Sequence, residues 1–301
     1  MYLFYESNCY WEIDYITKTL LKGVEYELKF FDTQEIRNIE NFKNIENIEN
    51  KKNIIENNIL VFGSNSEFPS NNDLKDYKIF KTVEYLKPKI IIHLSDEWGN
   101  KPALNLLSNY TSLLLRQYSH PNYPISDNIL HIPLGYMHDM FEDNYENIVL
   151  KDASKREFKW SFIGNIKQDR QEMISVLSEF GPNIVKKSEP SEMRDIYRNS
   201  IFVPNGRGNR SLDCFRLYEA TMCGAIPIIV SENDNEFKET FDILDNPPFI
   251  FCNSWKEALG VCKFLCMNFD LLDRVQKNII IWWKIYLSKI WKNIKLLCIM
   301  V

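Results

Sequence analysis

The sequence is poor in the residues that build fibrous, stapled or membrane-spanning structures. Only 10 of its 301 residues are glycine and 12 are proline, and no three-residue glycine period occurs, which excludes collagen-like and mucin-like chains. Its seven cysteines are an odd, scattered set without a C-x-x-C pair, and the nearest two, Cys262 and Cys266, fall in a helical pattern. Finger and ribbon metal sites need closely spaced ligand pairs, so free thiols in a reducing compartment are expected instead. No unbroken apolar run approaches the roughly 18 residues of a membrane span, and the N-terminus shows no basic stretch leading into an apolar one. A cytoplasmic chain is therefore expected. Charge of one sign is also lacking: 36 Lys and Arg against 41 Asp and Glu leave a net of −5. A dedicated duplex-DNA binder needs a net basic face to displace counterions, so no nucleic-acid partner is expected.

What is present is a 45% hydrophobic, 14% aromatic chain, long enough for two domain cores and too apolar for a disordered regulator. Short β-branched or aromatic runs alternate with amphipathic stretches, the pattern of an α/β fold with parallel sheets and crossover helices. Strands are expected at 2–5, 24–31, 59–62, 89–94, 112–118 and 129–133, with a helix from Tyr10 to Leu21 stopped by Gly23. KIIIHL (89–94) is continuously apolar, as a strand buried on both faces would be. Between them lies a compositionally drifting segment, NIENFKNIENIENKKNIIENN (38–58), to which no function is assigned. Periodicity fades over 140–157, and KWSFIGN (159–165) opens a second series. The domains are thus expected at 1–150 and 157–275, two Rossmann-like halves in tandem, followed by an amphipathic helix over 276–301. In that last helix Lys277, Lys284, Lys292 and Lys295 share one arc, with Trp282 and Trp283 on the apolar side. Such a helix either packs on the protein or lies in a membrane interface.

The text richest in chemistry is SIFVPNGRGNRSLDCFRLYEATMCGAIPIIV (200–230). A strand ends at Pro204, a basic glycine-containing loop runs from Asn205 to Arg210, and Ser211 can cap the helix that follows. Helix N-termini offer unpaired N–H groups and partial positive charge, and Gly206 and Gly208 permit close backbone approach to an anion. Arg207, Arg210 and Arg216 add the charge-assisted donors that phosphates favour. Arg216 and Glu219, three apart, are either a surface ion pair or a diphosphate ligand beside an acceptor for ribose hydroxyls. Gly164 and Asn165 end the first strand of the second series, where a phosphate-facing turn belongs; Lys167 and Arg170 follow as cations on the first helical turn. In the first series, Asp96 and Glu97 stand just past the KIIIHL strand, where a carboxylate can take a proton or merely cap a helix. His120 and His138 are reserve bases. Arg116 and Tyr118 alternate with apolar neighbours on the strand before His120, as lining or half-buried residues.

The run Phe202–Pro204, Gly206–Arg210, Phe215-Arg216, Glu219-Ala220 and Gly224–Ile228 resembles the donor-binding signature of exostosin-like glycosyltransferases. HLSDEWG (93–99), LLRQYSHPNY (114–123) and ILHIPLGY (129–136) resemble the branch related to ribitol xylosyltransferases. The resemblance spans roughly residues 90–250. It implies a GT-B architecture, two Rossmann-like domains facing a cleft, with the acceptor held mostly by the first domain and a nucleotide sugar by the second. It implies inverting transfer from a UDP-type donor to a glycan or lipid-linked glycan hydroxyl, with no cofactor and no metal. No Asp-x-Asp occurs, the motif that holds a divalent cation against the diphosphate in the other major glycosyltransferase fold. Leaving-group charge must then be met by arginines and backbone N–H groups. Inverting transfer needs a base, for which Asp96, Glu97 or His120 are the candidates by position, with Arg116 and Tyr118 as lining residues on the acceptor side. Donor binding falls to Gly164, Asn165, Lys167, Asn205, Gly206, Arg207, Arg210, Ser211, Arg216 and Glu219. A non-catalytic nucleotide-sugar or polyanion-binding protein is the alternative.

Overall fold

The apolar runs assemble into two all-parallel sheets. In the computed structural model, which describes residues 1–32, 58–63, 73–120, 123, 126–167 and 169–299, residues 1–133 with 289–301 form one unit and 134–288 another. The repeat-like segment at 38–58 lies, save its last residue, outside the described residues.

In the first unit the strands are β1 (Tyr2–Glu6), β2 (Glu27–Phe31), β3 (Ile59–Gly63), β4 (Ile90–Leu94), β5 (Leu113–Arg116) and β6 (Ile129–His131), ordered β2-β1-β3-β4-β5-β6. Every residue of β3, β4 and β5 is buried, as continuous apolar runs covered on both faces require. One face is filled by helix α1 (Lys78–Leu86) and the 3-10 stretch Pro102–Tyr110, whose Ile79, Val83 and Leu104 join Phe4, Leu60, Phe62, Ile91 and Leu114 in one core. The expected single helix at 10–21 is a 3-10 turn, Ser7–Glu12, followed by a wide π turn, Tyr15–Leu20, ending near Gly23 with φ of 76°. This winding turns the polar Glu12 inward, where the Gln117 amide donates to its carboxylate at 2.9 Å.

The second unit contains β7 (Phe158–Ile163), α2 (Arg170–Leu177), β8 (Asn183–Lys186), α3 (Pro190–Arg198), β9 (Ser200–Asn205), α4 (Phe215–Met222), β10 (Ile226–Val230), α5 (Asp234–Phe241), β11 (Ile250–Cys252), α6 (Trp255–Cys266) and the start of α7 (Phe269–Ile299). Its sheet order is β11-β10-β9-β7-β8. From β7 the chain steps outward to β8, then crosses back to pair β9 on β7's other side. The topological switch point is therefore the gap between the carboxyl ends of β7 and β9, the place where ligands of open α/β sheets bind. This unit begins at Leu134, whereas the sequence reading carries the first domain to residue 150 and starts the second at 157. The Arg156 guanidinium donates to the carbonyls of Tyr197, Ser200 and Cys223 at 3.1, 2.9 and 3.0 Å.

Helix α7 buries the side that carries its tryptophans. Trp282 Nε1 donates to the Leu244 carbonyl at 3.1 Å, and the Trp283 ring lies 5.7 Å from that of Tyr218. Within the first unit, Trp291 Nε1 donates to the Thr19 carbonyl at 2.6 Å. Lys277, Lys284, Lys292 and Lys295 are all exposed on the opposite arc. Among the described residues no helix is long and apolar enough to cross a membrane.

A row of cationisable side chains crosses the first sheet, with His93 and His131 in register on either side of Arg116. His93 is fully buried, stacks on Phe62 at 4.8 Å, and neither ring nitrogen has a hydrogen-bond partner among the described residues. Burial, then the charges of Arg116 and Lys101, push its pKa well below the ordinary imidazole range. The folded state thus refuses a proton that the unfolded chain accepts below about pH 6.5, so His93 removes stability as pH falls through that value. His93→Phe should stabilise the protein by about 1–2 kcal/mol at pH 7, because an unsatisfied buried polar group is removed. The gain should grow toward pH 5, as read by urea unfolding at the two pH values; a gain that shrinks would contradict the assigned neutral state.

Candidate functional site

Parallel strands deliver their carboxyl ends, and the amino ends of the helices that follow, to one edge of the sheet. In the second unit the ends of β7 and β9 bring Gly164, Asn165 and Gly206 to the switch point together with the first turn of α4. Gly164 has φ of 144°, and a Cβ there would lie 2.8 Å from Arg216 Nη2. Glycine is thus what lets the Arg216 side chain reach the strand end. Its Nη2 and Nε donate to the Ile163 carbonyl at 3.2 and 3.4 Å, and its guanidinium lies 4.4 Å from the Phe162 ring centre. Arg170 shares that ring at 5.7 Å. Burial and the charge of Arg216 push the Arg170 guanidinium pKa down. Among the described residues, no carboxylate lies within 4.0 Å of either guanidinium's nitrogens.

Glu219 stands one turn further along α4 and is buried. It forms no ion pair with Arg216, and its carboxylate accepts one long hydrogen bond, 3.4 Å from the Met137 amide. Burial, opposed by the charge of Arg216, pushes this carboxyl up to about 7. Of the two readings that the spacing leaves open, the surface ion pair is therefore not what the fold builds.

The remaining donor-side residues have other partners. Asn205 is a buried post: its Nδ2 donates to the Leu212 carbonyl at 2.8 Å and its Oδ1 accepts from the Cys214 thiol at 2.6 Å. Arg207 grips Glu236 with both Nη atoms, one at 2.9 Å, and Ser231 Oγ donates to the same carboxylate at 2.6 Å. Lys167 Nζ donates to Asn209 Oδ1 at 2.6 Å, and Arg210 is exposed. Ser211 closes a turn instead of capping a helix: Gly208 N–H donates to its carbonyl and Asp213 N–H to its Oγ, while α4 begins at Phe215. The Gly208 N–H is thus satisfied within the loop, and the Arg207 N–H by the Asp169 carboxylate at 3.2 and 3.4 Å. Two participants carry no clear signal in sequence. Phe162 reads as an ordinary core aromatic, and Arg170 only as a cation in a first helical turn.

In the first unit, β4 and β5 bring Asp96, Glu97, Arg116, Tyr118 and His120 to one edge. Asp96 is buried and ion-paired: Arg116 Nη2 donates to Oδ2 at 2.7 Å, Tyr123 O–H donates to the same oxygen, and Asn100 N–H reaches Oδ1 at 3.3 Å. Ser95 and Asp96 adopt φ of 71° and 77°, costly values for residues with a Cβ, held in place by these bonds. Arg116 is itself a core residue, bonded to Asn105 and lying 4.1 Å from the Tyr123 ring. The His120 ring packs where a Gly99 Cβ would be, with Nε2 3.2 Å from the Asp96 carbonyl oxygen. Glu97 and Tyr118 are half-buried, the latter with φ of 53°. His138 is half-buried in the second unit. A further polar group sits at the ends of β1 and β3, where Glu6 accepts the Gly63 amide at 2.7 Å and burial pushes the Glu12 carboxyl up to about 7. The sequence hint for it is a glutamate closing the otherwise apolar YLFYE strand.

No family model and no curated protein matches the chain. Solved structures do. An alpha-glucosyltransferase in complex with UDP-glucose and DNA containing an abasic site superposes with a TM-score of 0.53 at 11% identity, covering 93% of each chain. An alpha-glucosyltransferase with UDP and a 13-mer DNA gives 0.43 at 12% identity over 80% of this chain and 90% of that one. A variant of Thermobaculum terrenum O-GlcNAc transferase gives 0.49 at 10% identity, covering 97% of this chain and 64% of that one. The first of these establishes the fold: two parallel α/β sheets of the GT-B type. The exclusion of nucleic acid drawn from the acidic net charge does not stand, since a protein of this fold is seen with DNA. Whole-chain charge averages over faces and cannot settle what one face binds.

Glu219 yields a test of the site's electrostatics. An unfolded carboxyl titrates near 4.5, so a folded value of about 7 makes Glu219 a liability that begins above pH 4.5 and is complete above 7. Glu219→Gln should therefore raise stability at pH 8 by on the order of 1–3 kcal/mol and leave it nearly unchanged at pH 4.5, as measured by denaturant unfolding. Destabilisation at pH 8 would show that the carboxylate is a structural partner instead.

Proposed function

We propose that this chain is an exostosin-like glycosyltransferase that moves a sugar, with inversion, from a UDP-type nucleotide donor to a hydroxyl of a glycan or glycolipid. The observation that carries the reading is the pair of guanidiniums over Phe162, at the switch point of the second sheet, with no carboxylate in ion-pair contact with either among the described residues, Asp169 and Glu219 acting on them only through their fields. Two like charges held together in a partly buried place gain most from a dianionic group between or beside them. A nucleoside diphosphate fits that requirement. Its negative charge grows as the glycosidic bond breaks, so arginines fixed in advance stabilise the transition state more than the ground state.

Arg216 is assigned to the diphosphate and Glu219 to hydroxyls of the nucleoside, which a buried carboxyl that titrates near neutrality can meet as donor or acceptor. Gly164, Asn165 and Gly206 line the approach. Arg207, Lys167, Arg210, Asn205 and Ser211 shape or flank the loop. In the first unit Asp96 is engaged by Arg116, so the acceptor's proton is assigned to Glu97 or His120. The arginines supply the charge that a divalent cation supplies elsewhere, and transfer is read as metal-independent on that ground. A DNA hydroxyl is the second acceptor class, favoured by the likeness to the glucosyltransferase seen with DNA.

Calorimetric titration with UDP should give saturable binding that persists in EDTA and weakens at least tenfold in Arg216→Ala, with the unfolding midpoint little changed. Release of UDP from a nucleotide-sugar panel, with oligosaccharide and DNA acceptors in separate arms, identifies the reaction. Absence of UDP binding, or equal binding by Arg216→Ala, would refute the donor site; binding without turnover in any arm favours the non-catalytic alternative.

A further inference from the structure

Arg170 stands beside Arg216, yet both its Nη groups are engaged by backbone, and only the buried Nε has no hydrogen-bond partner among the described residues. Nη1 donates to the Asn165 carbonyl at 2.9 Å, and Nη2 to those of Arg207 and Gly206 at 2.7 and 3.5 Å. The preceding residue completes the contact from the other side, since Asp169 accepts the Arg207 N–H at 3.2 and 3.4 Å to its two oxygens. The peptide group between Gly206 and Arg207 is therefore held at both its oxygen and its nitrogen by one dipeptide, Asp169-Arg170. Arg170 is only 6% exposed, and its aliphatic stem fills the space over Gly206, where a Cβ would come within 2.6 Å of Arg170 Cγ. Unlike Gly164, Gly206 has no left-handed φ, so the close approach of Arg170 is what that position requires.

We infer that Asp169-Arg170 is a positioning clamp that sets the 206–211 loop in its anion-accepting shape, acting through the loop without touching the ligand. The role deepens the donor-site reading above and rests on it for the identity of the ligand. Its physical basis is twofold. Carbonyl oxygens turned toward an anion repel it, and one cation draws three of them, from both loops of the switch point, onto itself. A loop fixed before binding also loses less freedom when the ligand arrives. A guanidinium is the group suited to this, because its planar fork serves several acceptors at once, whereas an ammonium is a point charge.

The test is Arg170→Lys, which keeps the charge and loses the fork, with Gly206→Ala as an independent disruption of the same contact. Amide exchange followed by NMR on the ligand-free chain should show the Arg207 and Gly208 N–H groups protected in the wild type. In both variants these two amides should lose protection, while those of β7, β9 and β10 keep it. UDP affinity should fall about tenfold in each, with the unfolding midpoint nearly unchanged. In Gly206→Ala/Arg170→Ala the loss should be no greater than in Arg170→Ala alone, because both substitutions break one contact. Wild-type protection at the two amides in Arg170→Lys overturns the clamp, and so does lost protection with unaltered UDP affinity. Wild-type chain that fails to bind UDP while the exchange pattern holds removes the donor reading and leaves the loop clamp supported.

Discussion

Two guanidinium groups packed on one phenylalanine ring, with no carboxylate in ion-pair contact among the described residues, form an arrangement that a fold does not sustain without compensation. Each gives up some hydration and both repel. Here the compensation is local: carbonyl oxygens of Ile163, Asn165 and Arg207 accept from them, and the Phe162 face contributes its quadrupole. That engages the Nη groups but leaves Arg170 Nε without a partner among the described residues, and Asp169 and Glu219 offset the charge only from a distance. The geometry depends on two glycines. Gly164 admits Arg216 and Gly206 admits Arg170, so an added methyl group at either would displace a cation. The parallel sheet supplies the rest by placing the ends of β7 and β9 side by side where the strand order reverses.

The first unit treats buried charge in the opposite way. Arg116 is matched by Asp96, Tyr123 donates to that carboxylate and Asn105 accepts from Arg116, while the buried Arg116 Nε has no hydrogen-bond partner among the described residues. A buried pair of this kind fixes local structure more than it adds stability, and removal of one partner leaves the other charge stranded. The left-handed residues Ser95 and Asp96 are held by this network, which is how the chain turns sharply after β4. A charge pair in direct contact in one unit, and guanidiniums without a carboxylate in contact in the other, is the contrast on which the proposed anion site in the second unit rests.

Much of the fold was legible because strand content is written in local composition. Runs such as KIIIHL and SIFVPN are apolar and β-branched whatever surrounds them, and the alternation with helices sets the parallel topology. Helices α1 and α5 were not read, since Ile79, Phe80, Val83 and Leu86 show a helical face only once α1's limits are known, and α5 is mostly polar. The site was legible in its location and less so in its bonding. Glycines and arginines mark the loop after β9, but the residue that takes Arg207 is Glu236, 29 positions later, and the one that takes Asp96 is Arg116, 20 positions away. Local spacing has no access to such partners. The same limit explains why Asn205 and Ser211, plausible phosphate ligands by type, turn out to brace the loop.

A crystal structure of the chain with UDP would test the charge arrangement without recourse to kinetics. The diphosphate should lie beyond Gly164 with its oxygens within hydrogen-bond distance of Arg216, while Arg170 keeps its bonds to the Asn165 and Arg207 carbonyls. Density for the nucleotide at any other edge, or an Arg216 side chain still held only by Ile163 with UDP bound elsewhere, would contradict it.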